Sequence, residues 1–239
     1  DGIRDHCVTG VQTCALPIST TCIGAYPKPE YLALPDWFDD LDKPDPTGGW
    51  LEAMHALGSE AEVTLKRATR DAVQDQVAAG VDIPTDGEVG RENYIHYHCR
   101  HLDQIDFKNL TEQPVRNGNY IARLPTVRGP VRVARKFLAH DWQRAQQHTD
   151  RPVKITMPGP LTMADTLADT HYHDPVALGR DIALALNEEV HDLARAGCRH
   201  IQIDEPLFAR YPSRALDYGI ENLERAFYGC PAEVTRTVH

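Results

Sequence analysis

From Thr20 onward the chain alternates short apolar runs with longer amphipathic ones. The short runs are "TTCIGAYP" (20–27), "VDIPTDGE" (81–88), "PVKITMPGP" (152–160), "RHIQIDEP" (199–206) and "EVTRTVH" (233–239). Each has an apolar centre, ends near Gly, Pro or acids, and is too short for a stable helix, so each predicts a strand. Residues 59–80, 132–148, 174–197 and 214–228 instead place apolar side chains at three- and four-residue intervals, which predicts helices. Ser59 with Glu62 reads as a capping box, and Gly80 as the stop of that helix. Asp174 is the expected N-cap of the next long helix, with Pro175 at its first position and Gly197 at its close. Residues 27–58, with "KPDPTGGW" inside, predict a long irregular excursion, and loops of that length are more often functional than idle. Residues 100–130 predict a hairpin around "RNGNY".

Strand alternating with helix is the pattern of parallel βα units. No Gly-x-Gly-x-x-Gly follows a strand and no phosphate-binding loop motif occurs, so nucleotide folds are disfavoured. The strands have polar or glycine-rich exits in common: Gly24-Ala25, Asp86-Gly87-Glu88, Pro158-Gly159-Pro160, Asp204-Glu205 and His239. In a TIM (β/α)8 barrel such ends converge on one mouth. The fold expected is that barrel, with about six of its eight βα units present.

The first residues do not fit the pattern. "DGIRDHCVTGVQTCALPIS" has no hydrophobic period and lacks the basic start and apolar block of a secretory signal. Val8 to Ile18 back-translate in frame to a sequence that resembles a common sequencing-library adapter. Asp1 to Asp5 fit the preceding primer segment, His6-Cys7 fall where the index would be, and Ser19 permits the junction. Residues 1–18 are therefore expected to be translated adapter, and 19–239 an incomplete barrel domain.

Composition narrows the function classes. The 239 residues are 41% hydrophobic and carry a net charge of −10, which disfavours a nucleic-acid partner. No apolar run is long enough to span a membrane. The six cysteines show no paired CxxC spacing, so a reducing cytoplasmic setting is expected, with Cys22, Cys198 and Cys230 as small buried apolar residues. Nothing in the sequence sets an oligomeric state.

Candidate chemistry sits at the strand ends. Asp204 and Glu205 follow the apolar "IQI" core, where a carboxylate is partly desolvated. Each either faces a substrate, or caps the next helix or pairs with an arginine. Glu88 occupies the same place on another strand, with a salt bridge to Arg91 as its bland alternative. Two carboxylates at one mouth suit a cationic group such as an α-ammonium, or acid–base work. In "HYHCRH", His96, His98, Cys99 and His101 are possible metal ligands, but the spacing matches no common zinc pattern. A strand would put His96 and His98 on one face, whereas a helix would spread the cluster; ordinary packing or surface is the leading expectation, with the lining of a pocket next and metal binding last.

"TTCIGAYP", "DGE", "PGPLT", "IQIDEP" and the terminal "TVH" together resemble the cobalamin-independent methionine synthase family, in particular its short single-barrel branch. The resemblance covers residues 20–239 and implies a TIM barrel with a zinc that binds a thiol substrate. It implies that Ile23, Gly24 and Ala25 hold the carboxylate of homocysteine, with Ala25 where the family usually has serine. Glu88 and Asp204 would grip the homocysteine ammonium. His239 would be the histidine of a zinc-ligating His-x-Cys pair whose cysteine comes two positions later. The other zinc ligands and the catalytic histidine would also follow His239, so this stretch alone is expected to be inactive. The implied reaction is methyl transfer from a 5-methyltetrahydrofolate-type donor to the homocysteine thiol, giving methionine. On the donor side the chain departs from the larger family members, with Thr166 in place of a tryptophan and Arg210 in place of an acid. Three rival readings remain: alkyl transfer to another thiol, a zinc-free enzyme like uroporphyrinogen decarboxylase, and a barrel that binds a small ligand without turnover.

Overall fold

The computed structural model describes residues 19–35, 48–115 and 118–239. The adapter expectation for 1–18 and the centre of the 27–58 excursion lie outside the described residues. The rest of that excursion is not all irregular, because Gly48–Leu57 forms helix α1. A single 3-10 turn joins it to α2, Ala61–Ala78. The Ser59–Glu62 capping box therefore does not form. The residue before α2, Glu60, is already helical and makes no side-chain cap, since the preceding turns occupy the place a cap would take. Gly80 does end the helix, at φ +88°.

The chain then runs through α3 (Tyr94–Cys99), the long hairpin β1 (Ile105–Val115) and β2 (Tyr120–Val127), α4 (Leu138–Gln146) and β3 (Lys154–Pro158). Next come α5 (Pro160–Asp165), the short β4 (Ala168–Asp169), α6 (Pro175–Ala196) and β5 (His200–Asp204). The short helices α7 (Leu207–Arg210) and α8 (Pro212–Arg214) lead through a π-helical stretch, Ala215–Gly219, into α9 (Ile220–Ala226), and β6 is Thr235–Val238. The α6 signals form as the sequence implies. The Asp174 carboxylate accepts from the Val176 and Ala177 amides, and Gly197 closes the helix at φ +108°. The expected helix over 132–148 starts only at Leu138. Ahead of it, the Arg132 carbonyl and the Ala134 amide bond to Asp103 and His101, so those groups are not free for a helix.

Strands β3, β5 and β6 form a parallel sheet in that order. Residues 20–26 and 81–88 extend it without forming regular strands. Thr21 bridges Ile83, and Thr85 bridges Lys154, both in parallel. The Tyr26 amide donates to the Gly87 carbonyl at 2.9 Å and the Lys154 amide to the Pro84 carbonyl at 2.8 Å. The order in space is thus the order in sequence, as expected for successive βα units. Among the described residues this sheet stays open, and a closed barrel is not formed. The β1–β2 hairpin is antiparallel and pairs with β4 in a second sheet.

The outward face of the parallel sheet is apolar. Ile155, Met157, Ile201 and Ile203 are fully buried and join one cluster with Leu138 and Trp142 of α4 and Leu178, Ile182, Leu186, Val190 and Leu193 of α6. The α6 stripe recurs at i, i+4, i+8, i+12 and i+15, one face of a helix. One carboxylate enters this layer: Glu189 Oε2 accepts from the Leu138 amide at the start of α4, while its Oε1 has no partner.

Candidate active site

Alternate residues of the same strands point the other way. Lys154 and Thr156 of β3 and Gln202 and Asp204 of β5 are all buried, yet polar. The period-two geometry of a strand puts them together on the inner face. Glu88 reaches that face from the neighbouring segment. It sits at φ +54°, a left-handed conformation that non-glycine residues adopt rarely and that collects at functional sites. Gly87, at φ +72°, makes the same turn. The turn brings the Glu88 side chain back over the sheet, where Thr156 Oγ1 donates to its Oε1 at 2.6 Å.

Arg91 lies beneath, only 2% exposed, with Nη2 at 3.2 Å from Asp86 and Nη1 at 3.4 Å from Glu88. The predicted Glu88–Arg91 pair therefore forms, and it positions Glu88 at the mouth instead of taking it away. Gly24 is packed so closely that a Cβ there would collide with Glu88 Oε1. Its neighbours Ile23 and Ala25 are exposed, Ile23 at 64%. Of the three expected carboxylate-binding residues, Gly24 thus lies against Glu88, and the Ile23 carbonyl accepts from Gln202 Nε2 at 2.8 Å.

The two adjacent acids of β5 divide their roles. Glu205 is the cap: its Oε1 accepts from the Leu161 amide at 2.8 Å, and its Oε2 from the Thr162 amide and hydroxyl at 3.0 and 2.7 Å. That satisfies the first turn of α5, so Glu205 locks "PGPLT" to "IQIDEP" and has no free face. Asp204 Oδ1 accepts from Gln202 Nε2 at 2.7 Å and lies 3.2 Å from His239 Nδ1. Glu88, Asp204 and His239 are thereby gathered at one sheet end.

Burial raises the pKa of both Glu88 and Asp204, and the charges of Asp86 and Asp204 push Glu88 further the same way. Arg91, Thr156, Gln202 and His239 offset part of that. Two desolvated acids in one mouth repel each other until a cation arrives. Tyr94, the first residue of α3, stands in the field of Glu88, Asp204 and Glu205, and burial together with those charges pushes its phenol up to about 12. Tyr94, Thr156, Lys154 and Gln202 were not singled out from sequence. The polar residues alternating through "KIT" and "IQID" were the signal that would have found three of them.

The histidine cluster is packing. Residues 94–99 are helical, capped by the Asn93 side chain, so the rings are spread as a helix requires. His101 stacks on Phe137 at 3.7 Å, His98 meets the same ring edge-on, and His96 packs against Phe107. Burial pushes His96 down to about 3 and also lowers His98 and His101, which keeps the rings neutral. A zinc site needs three or four converging ligands. Among the described residues no group of three or more His, Cys, Asp or Glu is placed to hold a metal ion. His239 alone at the mouth does not complete one.

Residues 18–221 match the family described as cobalamin-independent synthase, catalytic domain. The chain belongs to the cobalamin-independent methionine synthase family. A methionine synthase of Saccharolobus solfataricus is 31% identical over 225 residues, covering 91% of this chain and 61% of the relative. One from Sulfurisphaera tokodaii is 30% identical and covers 93% and 62%. The chain thus spans about three fifths of the curated relatives it matches. A B12-independent methionine synthase from Shewanella sp. W3-18-1, solved with selenomethionine, superposes with a TM-score of 0.78 at 36% identity, over 92% of this chain and 60% of that one. A Listeria monocytogenes structure at 17% identity shares the fold, with a TM-score of 0.62 over 75% of this chain and 55% of that one. Membership in the methionine synthase family agrees with the parallel sheet and its polar mouth. Among the described residues no helix is long and apolar enough to cross a membrane.

Proposed function

We propose that the protein transfers a methyl group from a donor to the thiol of homocysteine, giving methionine. The observation that carries this reading is the pairing of Glu88 and Asp204, both desolvated, beside buried Gly24 and its exposed neighbours Ile23 and Ala25. An α-amino acid fits that pattern: its ammonium relieves the repulsion between the acids, and backbone N–H groups at 23–25 take its carboxylate. Selenomethionine, bound by the Shewanella relative, carries the same two groups. In the transfer the sulfur forms a bond to the methyl carbon as the bond from that carbon to the donor breaks, and the leaving atom takes up a proton. In this reading zinc is held by His239 together with ligands outside the described residues. The adapter reading of 1–18, a TIM barrel with about six of its eight βα units in residues 19–239, and a cytoplasmic location belong to the same proposal. The free state of Cys22, Cys99, Cys198 and Cys230 supports the location.

A second reading concerns the donor. Thr166 bonds its hydroxyl to the Thr162 and Met163 carbonyls, and Arg210 is exposed. Neither position offers the ring or the acid of the larger family members, which favours a donor other than a folate. Full-length protein incubated with homocysteine and either a methylated folate or a simpler methyl donor is expected to yield methionine by mass spectrometry. No methionine with any donor overturns the proposal.

A further inference from the structure

Below the two acids runs a chain of buried hydrogen bonds. Lys154 Nζ donates to Gln202 Oε1 at 2.6 Å and to the Cys22 carbonyl at 2.7 Å. Gln202 Nε2 donates in turn to Asp204 Oδ1 at 2.7 Å and to the Ile23 carbonyl at 2.8 Å. Lys154 and Gln202 are each 3% exposed. We infer that Lys154, acting through the Gln202 amide, is a positioning residue for the amino-acid end of the substrate.

Polarity sets the direction of this chain. An ammonium has donors and no acceptor, so it can face only the oxygen of the Gln202 amide. That choice turns the NH2 group toward Asp204 and Ile23, both of which offer only acceptors when Asp204 is ionised. All four groups are consistent in one orientation and in conflict if the amide is flipped. Without the Lys154 ammonium the amide oxygen loses its charged donor and the orientation rests on the Asp204 and Ile23 acceptors alone, while a flipped amide would set its oxygen against the Asp204 carboxylate. One cation thereby fixes an acid on β5 and the 20–26 segment across the sheet. Strands that are 132 and 48 residues from Lys154 in sequence are joined by its two bonds.

The inference rests on the amino-acid reading above, and the test separates the two. Full-length wild type, Lys154→Met and Gln202→Met are titrated calorimetrically with methionine and with 4-(methylthio)butanoate, which lacks the ammonium. Thermal unfolding confirms that each variant is folded, and Gln202→Met carries the test if Lys154→Met is not. Wild type is expected to prefer methionine, and each folded variant to lose about tenfold of that preference, the scale of one charge-assisted hydrogen bond. A folded variant that keeps the wild-type preference, or weakens both ligands equally, overturns the inference alone. Wild type that binds methionine no better than the deamino compound overturns the amino-acid reading and the inference with it.

Discussion

The two faces of the parallel sheet are equally dry and are held in opposite ways. On the outer face Ile155, Met157, Ile201 and Ile203 meet α4 and α6, and apolar burial with close packing holds them. On the inner face Lys154, Thr156, Gln202 and Asp204 are just as buried, but nearly every polar atom has a named partner. Burial alone does not separate core from site here. The separation comes from bonding capacity left over: the outer face has none, while Glu88 and Asp204 keep unused acceptor positions at the rim.

The largest expected effect is on the inner face. Arg91→Met leaves Asp86 and Glu88 buried without their cation and should lower unfolding free energy by about 4 kcal/mol in urea titration. Next is Ile203→Ala on the outer face, expected to cost about 3 kcal/mol while methionine affinity of the folded protein stays within about twofold. If it abolished binding at full folding, the division between faces would be broken. Glu88→Gln should show the reverse profile. Its acid is already disfavoured in the folded state, so stability holds or rises, while methionine affinity falls about thirtyfold, near 2 kcal/mol, by calorimetry.

The smallest effect, taken per pH unit, belongs to Glu189, the carboxylate inside the apolar layer. Burial raises its pKa from 4.5 to about 7. A raised folded-state pKa means the folded protein binds the extra proton. Its stabilising contribution is full below pH 4.5 and is lost as the pH rises through about 7. The slope is at most about 1.4 kcal/mol per pH unit, and Glu189→Gln should flatten it in urea titrations across that range.

What the sequence made legible was local or periodic. The α6 caps depend on residues within one turn, and Asp174 and Gly197 act as their types require. Strand exits were legible because apolar runs end where the mouth begins. The failures came from neighbours. Ser59 and Glu62 have capping chemistry, but helix α1 arrives first: behind its Gly-Gly start, "WLEAMHAL" is rich in strong helix formers. The split between Asp204 and Glu205 was posed as alternatives and could not be resolved from sequence. It depends on which acid meets the α5 amides more than 40 residues away in the chain. The Lys154–Gln202 bond is likewise a cross-strand contact with no local signature.

Two glycines next to this mouth tie its acids to their neighbours. A Cβ at Gly24 would strike Glu88, and one at Gly159 would strike Glu205. Each glycine and its glutamate therefore behave as one unit under mutation. A larger residue at position 24 makes the Glu88 carboxylate leave Thr156 or be shortened, and a shortened acid at 88 leaves space beside position 24. Single-site libraries aimed at a new substrate would meet a fitness valley at both positions. Libraries that randomise 24 with 88, or 159 with 205, would cross it in one step.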